Sequence, residues 1–172
     1  VQGARQVRES GFPQVSLFVQ PPSVEVLRER LLARGTEDLE EMNRRLQVVE
    51  EEIKSYGLNV LDLGAVDESS VDYPEYGVKL ASAIVLGEAA RGVGTCGTGI
   101  GMSIVLNRVP GIRAALCYNS DAAALGRRHN DANVLVLGSR IMDERAAMSC
   151  LRAFLDTSFD GGRHEKSSEI SN

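Results

Sequence analysis

The chain has 172 residues, 43% of them apolar and 25% charged, enough for one domain with a proper core or for one domain plus an appendage. A net charge of −5 with no basic stripe argues against a nucleic-acid binder, and no apolar run approaches the roughly 20 residues that cross a bilayer. Three cysteines without C-x-x-C spacing and two histidines make neither a zinc set nor a disulfide framework, so a reducing, cytoplasmic setting without metal is expected.

The first ten residues, VQGARQVRES, are polar and carry no secretory signal, and a start at Val1 rather than Met is expected of a fragment or a processed product. Residues 15–20, VSLFVQ, form a β-rich apolar run stopped by Pro21 and Pro22, which predicts a buried strand. Ser23 is placed to cap a helix from Val24 to about Ala33, with Gly35 as its stop. Thr36 caps a second helix, whose apolar residues Leu39, Met42, Leu46, Val49 and Ile53 draw one stripe. Gly57 ends that helix, and 58–64 reads as the next strand. An acidic loop then leads to a helix near 75–86, a strand at 90–96 and a glycine turn. A helix over 102–107, a strand at 112–117, a helix near 120–127, a strand at 133–138 and a helix over 143–156 complete the pattern before a polar tail. Such alternation predicts a three-layer α/β/α, Rossmann-like domain with a mainly parallel sheet.

The turn TCGTGIG, residues 95–101, places Cys96 at the carboxyl end of a strand, where open parallel sheets bind ligands. Gly97, Gly99 and Gly101 let several backbone N–H groups converge beside the start of a helix, a setting that favours anions and a thiolate. Three readings compete. A dinucleotide fingerprint needs G-x-G-x-x-G, but the third glycine comes one residue early and Met102 fills its place. A Walker loop needs a Gly-Lys pair, which the chain does not contain. An inert buried cysteine beside a tight turn is the plain structural alternative.

Neighbouring motifs favour chemistry. RRHNDANVLVLGSR (127–140) sets His129 and Asn130 just before a strand and Arg140 just after it, and SFDGGRH (158–164) adds Arg163. An imidazole suits proton traffic near neutrality, and the arginine fork suits phosphate. Helix capping by His129 and solvated surface arginines remain the bland alternatives. A thiol, a histidine, an anion-binding turn and spare arginines together fit a phosphorylated substrate.

VDYPEYG, RGVGTCGTGIGMSIVLNRVPGIRAALC, RRHNDANVLVLGSR and FDGGRH, in this order, resemble the B-type ribose-5-phosphate isomerases, a group that includes the galactose-6-phosphate isomerase subunits. The resemblance covers about residues 54–165. It implies aldose–ketose interconversion of sugar phosphates in the pentose phosphate pathway, through an enediolate and without metal or organic cofactor. Cys96 is then the acid/base that moves the proton. The amides of Gly97 to Gly101, with Thr98 close by, hold the enediolate oxygen. His129 opens the sugar ring and Asn130 supports the same pocket; Arg140 and Arg163 bind phosphate, and Tyr73 lines the site. A homodimer with shared sites is implied. The family's opening strand and its Asp-His pair have no counterpart in sequence, and Ser167 stands where a second arginine is usual, with Lys166 beside it.

Residues 1–53 resemble the later part of a guanylate kinase instead, through VQGARQV, a strand followed by PPS, RLLARGTED and RRL. Arg34 and Arg44 or Arg45 would correspond to arginines that approach ATP phosphates, or are solvated charges on a helix. The expected organisation is therefore a kinase-like segment (1–53), an isomerase-like domain (54–165) and a polar tail (166–172). VSLFVQ is expected in the vacant first-strand place of the isomerase sheet, which sets Gln20 and Pro21 where the Asp-His pair belongs. The predicted function is a ribose-5-phosphate-type isomerase with ring opening impaired. The alternatives are an inactive sugar-phosphate-binding or fusion protein and residual nucleotide binding. The sequence leaves pentose against hexose preference, oligomeric state and the origin of the fusion open.

Overall fold

A computed structural model of the chain describes residues 14–19, 48, 51–64 and 72–165. Its centre is a five-stranded, all-parallel sheet. The strands are β1 (Gln14–Val19), β2 (Asn59–Asp62), β3 (Arg91–Cys96), β4 (Ala114–Leu116) and β5 (Val134–Gly138), in the spatial order β2-β1-β3-β5-β4. The helices α1 (Tyr73–Val85), α2 (Ile100–Leu106), α3 (Ser120–Asn130) and α4 (Glu144–Asp156) alternate with them, and a 3-10 turn, Gly162–His164, follows. Residues 51–55 are helical as well.

Two apolar layers flank the sheet, as its strand pattern requires. In β5, Val134 and Val136 pack with Leu80 of α1 and with Met102 and Leu106 of α2. Leu135 faces the other way, among Ala123 of α3, Leu151 and Phe154 of α4, and Ile53. A run apolar at every position is what a strand covered on both faces needs. On β3, a Cβ built on Gly92 would lie 2.8 Å from Leu80 Cδ1, so its bare backbone lets α1 settle onto the strand.

β1 is the strand predicted at 15–20, one residue early. It pairs in parallel with β2 on one side and with β3 on the other, Val19 lying opposite Thr95. The expectation that this run enters the sheet therefore holds, and β2 joins the sheet only through β1. Of the helical stripe, Ile53 alone is described, and it is fully buried; Val48, which the stripe does not include, packs against the same cluster. Gly57 closes that helix at φ 71°. The caps at Ser23 and Thr36, the stop at Gly35, the rest of the stripe, Arg34, Arg44, Arg45, Gln20, Pro21, Lys166 and Ser167 lie outside the described residues.

Several boundaries differ from expectation. α1 begins at Tyr73, because Pro74 suits the first helical turn, where its missing N–H costs nothing. α2 begins at Ile100, directly after Gly99. β4 shrinks to three residues, and the Asn107 side chain takes over its free edge, accepting from Ala114 N at 2.8 Å and donating to Ala114 O at 2.9 Å. α3 runs on through Asn130, three residues past the predicted end. It stops at Asp131, a non-glycine residue at φ 45° whose carboxylate bridges Arg113 and Arg127, each at 2.8 Å.

Candidate active site

β3 delivers Cys96 to the carboxyl edge of the sheet, opposite Gly138 at the end of β5. The two outgoing loops are tied together there. Ser139 N donates to Cys96 O at 3.0 Å, and Arg140 N donates to Gly97 O at 2.9 Å. Within the turn, Gly99 N donates to Cys96 Sγ at 3.2 Å, and Ile100 N donates to Thr98 Oγ1 at 3.3 Å. Gly99 has φ 77°, and a Cβ there would run into Leu116 Cδ1 and reach Leu137 O at 3.1 Å, so glycine is required on both counts.

Tyr73 and Arg140 close around the same turn. A Cβ on Gly101 would sit 2.6 Å from the Tyr73 hydroxyl, and one on Gly97 would meet the Arg140 guanidinium at 3.0 Å. Cys96, Gly97, Thr98, Gly99, Gly101, Tyr73 and Arg140 are thus gathered at one edge. Cys96 is half-buried, whereas Cys117 and Cys150 are buried in the core. Burial pushes the Cys117 thiol up to about 12 and the Cys150 thiol up to about 11, which leaves both protonated at neutral pH.

His129, Asn130 and Arg163 gather elsewhere. α3 is the crossover from β4 to β5, so its last turn brings His129 and Asn130 back to the amino edge of the sheet, beside the start of β5. β3 alone spans about 17 Å between those edges at the usual rise per residue. The His129 ring stacks on His164 with centroids 4.3 Å apart and planes 9° from parallel. Arg163 Nε lies 3.1 Å from His164 Nε2, and Asp160 N donates to Arg128 O at 3.0 Å, which ties the tail to the end of α3. The thiol, histidine and arginines singled out from sequence therefore fall, within one chain, into two groups at opposite edges of the sheet.

Three contributors escaped the sequence reading. Tyr118, just past β4, donates its hydroxyl to Thr98 O at 3.1 Å. Gly138 lets Thr98 O approach to within 2.7 Å of where its Cβ would stand. His164 flanks His129; the FDGGRH block drew attention to Arg163 alone. Only the last had a visible signal, a second histidine in a chain that has two.

The model of the family described as Ribose/Galactose Isomerase matches residues 38–170. The chain belongs to that family. Ribose-5-phosphate isomerase B of Escherichia coli is 41% identical over 110 residues, which cover 64% of this chain and 74% of the relative. Among solved structures, the ribose 5-phosphate isomerase of Thermotoga maritima is similar with a TM-score of 0.73 at 36% identity, over 92% of this chain and 97% of its own. The type B ribose 5-phosphate isomerase of Trypanosoma cruzi has a TM-score of 0.74 at 31% identity, over 92% of this chain and 94% of its own. The structural match to the isomerase family thus takes in more of the chain than the sequence match to the E. coli relative. A guanylate kinase model also matches residues 1–74, overlapping the isomerase match. Among the described residues no helix is long and apolar enough to cross a membrane.

Proposed function

We propose that this chain interconverts ribose 5-phosphate and ribulose 5-phosphate through an enediolate. The observation that carries the reading is the half-buried Cys96 thiol at a strand end, inside a glycine turn that aims a backbone N–H at its sulfur, with Tyr73 and Arg140 around it. Cys96 takes the proton from C2 of the open-chain aldose and returns one to C1. The hydroxyl proton of O2 passes to O1 as the double bond moves, so the product is an isomer and nothing else is consumed. Of the amides of Gly97 to Gly101, those not engaged by Cys96 Sγ and Thr98 Oγ1 stabilise the enediolate oxygen together with the Thr98 hydroxyl, as donors fixed in advance do best.

His129 opens the ring by moving a proton from the anomeric hydroxyl to the ring oxygen, with Asn130 beside it, and Arg140 and Arg163 take the phosphate. Because the two groups lie at opposite edges of the sheet, a working site is built from two copies of the chain in a homodimer. We read residues 1–53 as the kinase-like segment, which lends β1 to the sheet; 54–165 as the isomerase unit; and 166–172 as a tail. The family's Asp-His pair has no sequence counterpart, so ring opening is the weakened step.

Conversion of ribose 5-phosphate by the full chain, beside its Cys96→Ala variant, tests the reading. Loss of a positioned acid/base is expected to lower kcat about 10²- to 10⁴-fold. Equal rates in the two proteins would overturn the role of Cys96, and no turnover by a folded wild-type chain would overturn the activity.

A further inference from the structure

Thr98 C=O and Gly99 N–H belong to one peptide group, and in a trans peptide they point in opposite directions. On one side the Tyr118 hydroxyl donates to Thr98 O at 3.1 Å; on the other, Gly99 N donates to Cys96 Sγ at 3.2 Å. We propose that Tyr118 is a positioning residue for Cys96, acting through this single peptide: its hydroxyl holds the 98–99 plane so that the Gly99 N–H stays on the sulfur. The proposal rests on Cys96 being the working thiol.

The surroundings leave the peptide few other anchors. Gly99 is left-handed at φ 77°, a region in which a flexible turn has several competing arrangements of its flanking peptides. Ile100 N is engaged by Thr98 Oγ1, which fixes the peptide after Gly99 rather than the one before it. Gly138 supplies the space: a Cβ there would stand 2.7 Å from Thr98 O and 2.8 Å from Thr98 C, so the carbonyl could not keep its place. Hydrogen bonds in series polarise one another, so a proton donor on the carbonyl strengthens the N–H as a donor to sulfur. Tyr118 itself is 41% exposed, so its hydroxyl can be removed without opening the core.

The test is Tyr118→Phe in the full chain, with three readouts. One is the rate of Cys96 alkylation by iodoacetamide across pH, located by mass spectrometry of the modified peptide. The others are kcat and KM for ribose 5-phosphate, and the melting temperature. The expected result is alkylation slowed about two- to tenfold, the size of effect one net hydrogen bond allows. A similar fall in kcat with KM and melting temperature unchanged goes with it. Alkylation at the wild-type rate throughout would overturn the proposal. If wild type turns nothing over yet Tyr118→Phe still slows alkylation, the isomerase reading falls while the Tyr118 relay stands.

Discussion

At the level of single residues, environment sorts the three cysteines. Cys117 and Cys150 are 1% and 0% exposed, so a thiol reagent added to the native chain is expected to modify Cys96 first, with all three reacting in denaturant. Thiol titration with and without guanidinium checks this; fast modification of Cys150 in the native chain would contradict it. The same burial carries a pH signature. Folding raises both core thiols, so their contribution is complete below the ordinary thiol range and is lost as pH climbs toward about 11 and about 12. Denaturant midpoints are expected to fall steadily above pH 9, less steeply in Cys150→Ala. Gly99 offers a sharper case. Gly99→Ala must hold φ 77° and displace Leu116, and a cost of about 1–3 kcal/mol follows from a strained backbone site. A denaturation curve unchanged by that substitution would mean that the turn relaxes freely.

Between elements, the helical turn at residues 51–55 docks on the sheet by packing. Ile53 is fully buried among residues of β3, α3 and α4, and Glu52 beside it meets the Arg152 guanidinium at 2.6 Å and 3.2 Å. The Arg152 hydrogen bond holds the Glu52 carboxyl below its ordinary range, so this contact fades as acid titrates it. The contact is exposed, and the apolar side chain carries the docking. Ile53→Ala is therefore expected to cost about 2–5 kcal/mol, the range for emptying a core position, read as a drop in the urea midpoint at constant slope. A neutral result would show that this helix sits on the sheet without being needed. The alternation of strands and helices was legible because apolar runs such as 134–137 alternate with helical stretches and several of the breaks carry Gly or Pro. The ends were less so. α3 overran its prediction because Asp131, not a glycine, takes the left-handed stop, and the Arg113 and Arg127 pairs that hold it come from sequence-distant or buried positions. β4 was read too long because its edge bonds to an asparagine side chain, which no apolar pattern records.

For the molecule as a whole, the residues of the site were legible one by one, yet their arrangement within one chain was not. The motifs place His129 and Cys96 in one chemistry, and the path of α3 holds them at opposite edges of one chain's sheet, as the shared sites implied by the resemblance require. The homodimer proposed above would join them twice over, since an isologous interface that brought one copy's Cys96 edge to the other's His129 edge would do so at two symmetric places. Exposed apolar side chains at the Cys96 edge, Ile100 and Ile141, suit such burial. The arrangement has a consequence that a single-chain site lacks. Cys96→Ala and His129→Ala homodimers are each expected to be nearly inactive. Mixed and re-equilibrated one to one, half of the dimers are hybrids, and each hybrid carries one site with both defects and one with neither. Activity should therefore return to about a quarter of wild type, with no new residue introduced. Analytical ultracentrifugation of the wild type and the activity of the mixture decide the matter together. A monomer, or a mixture as inactive as its components, would mean that His129 and Cys96 do not meet across two copies.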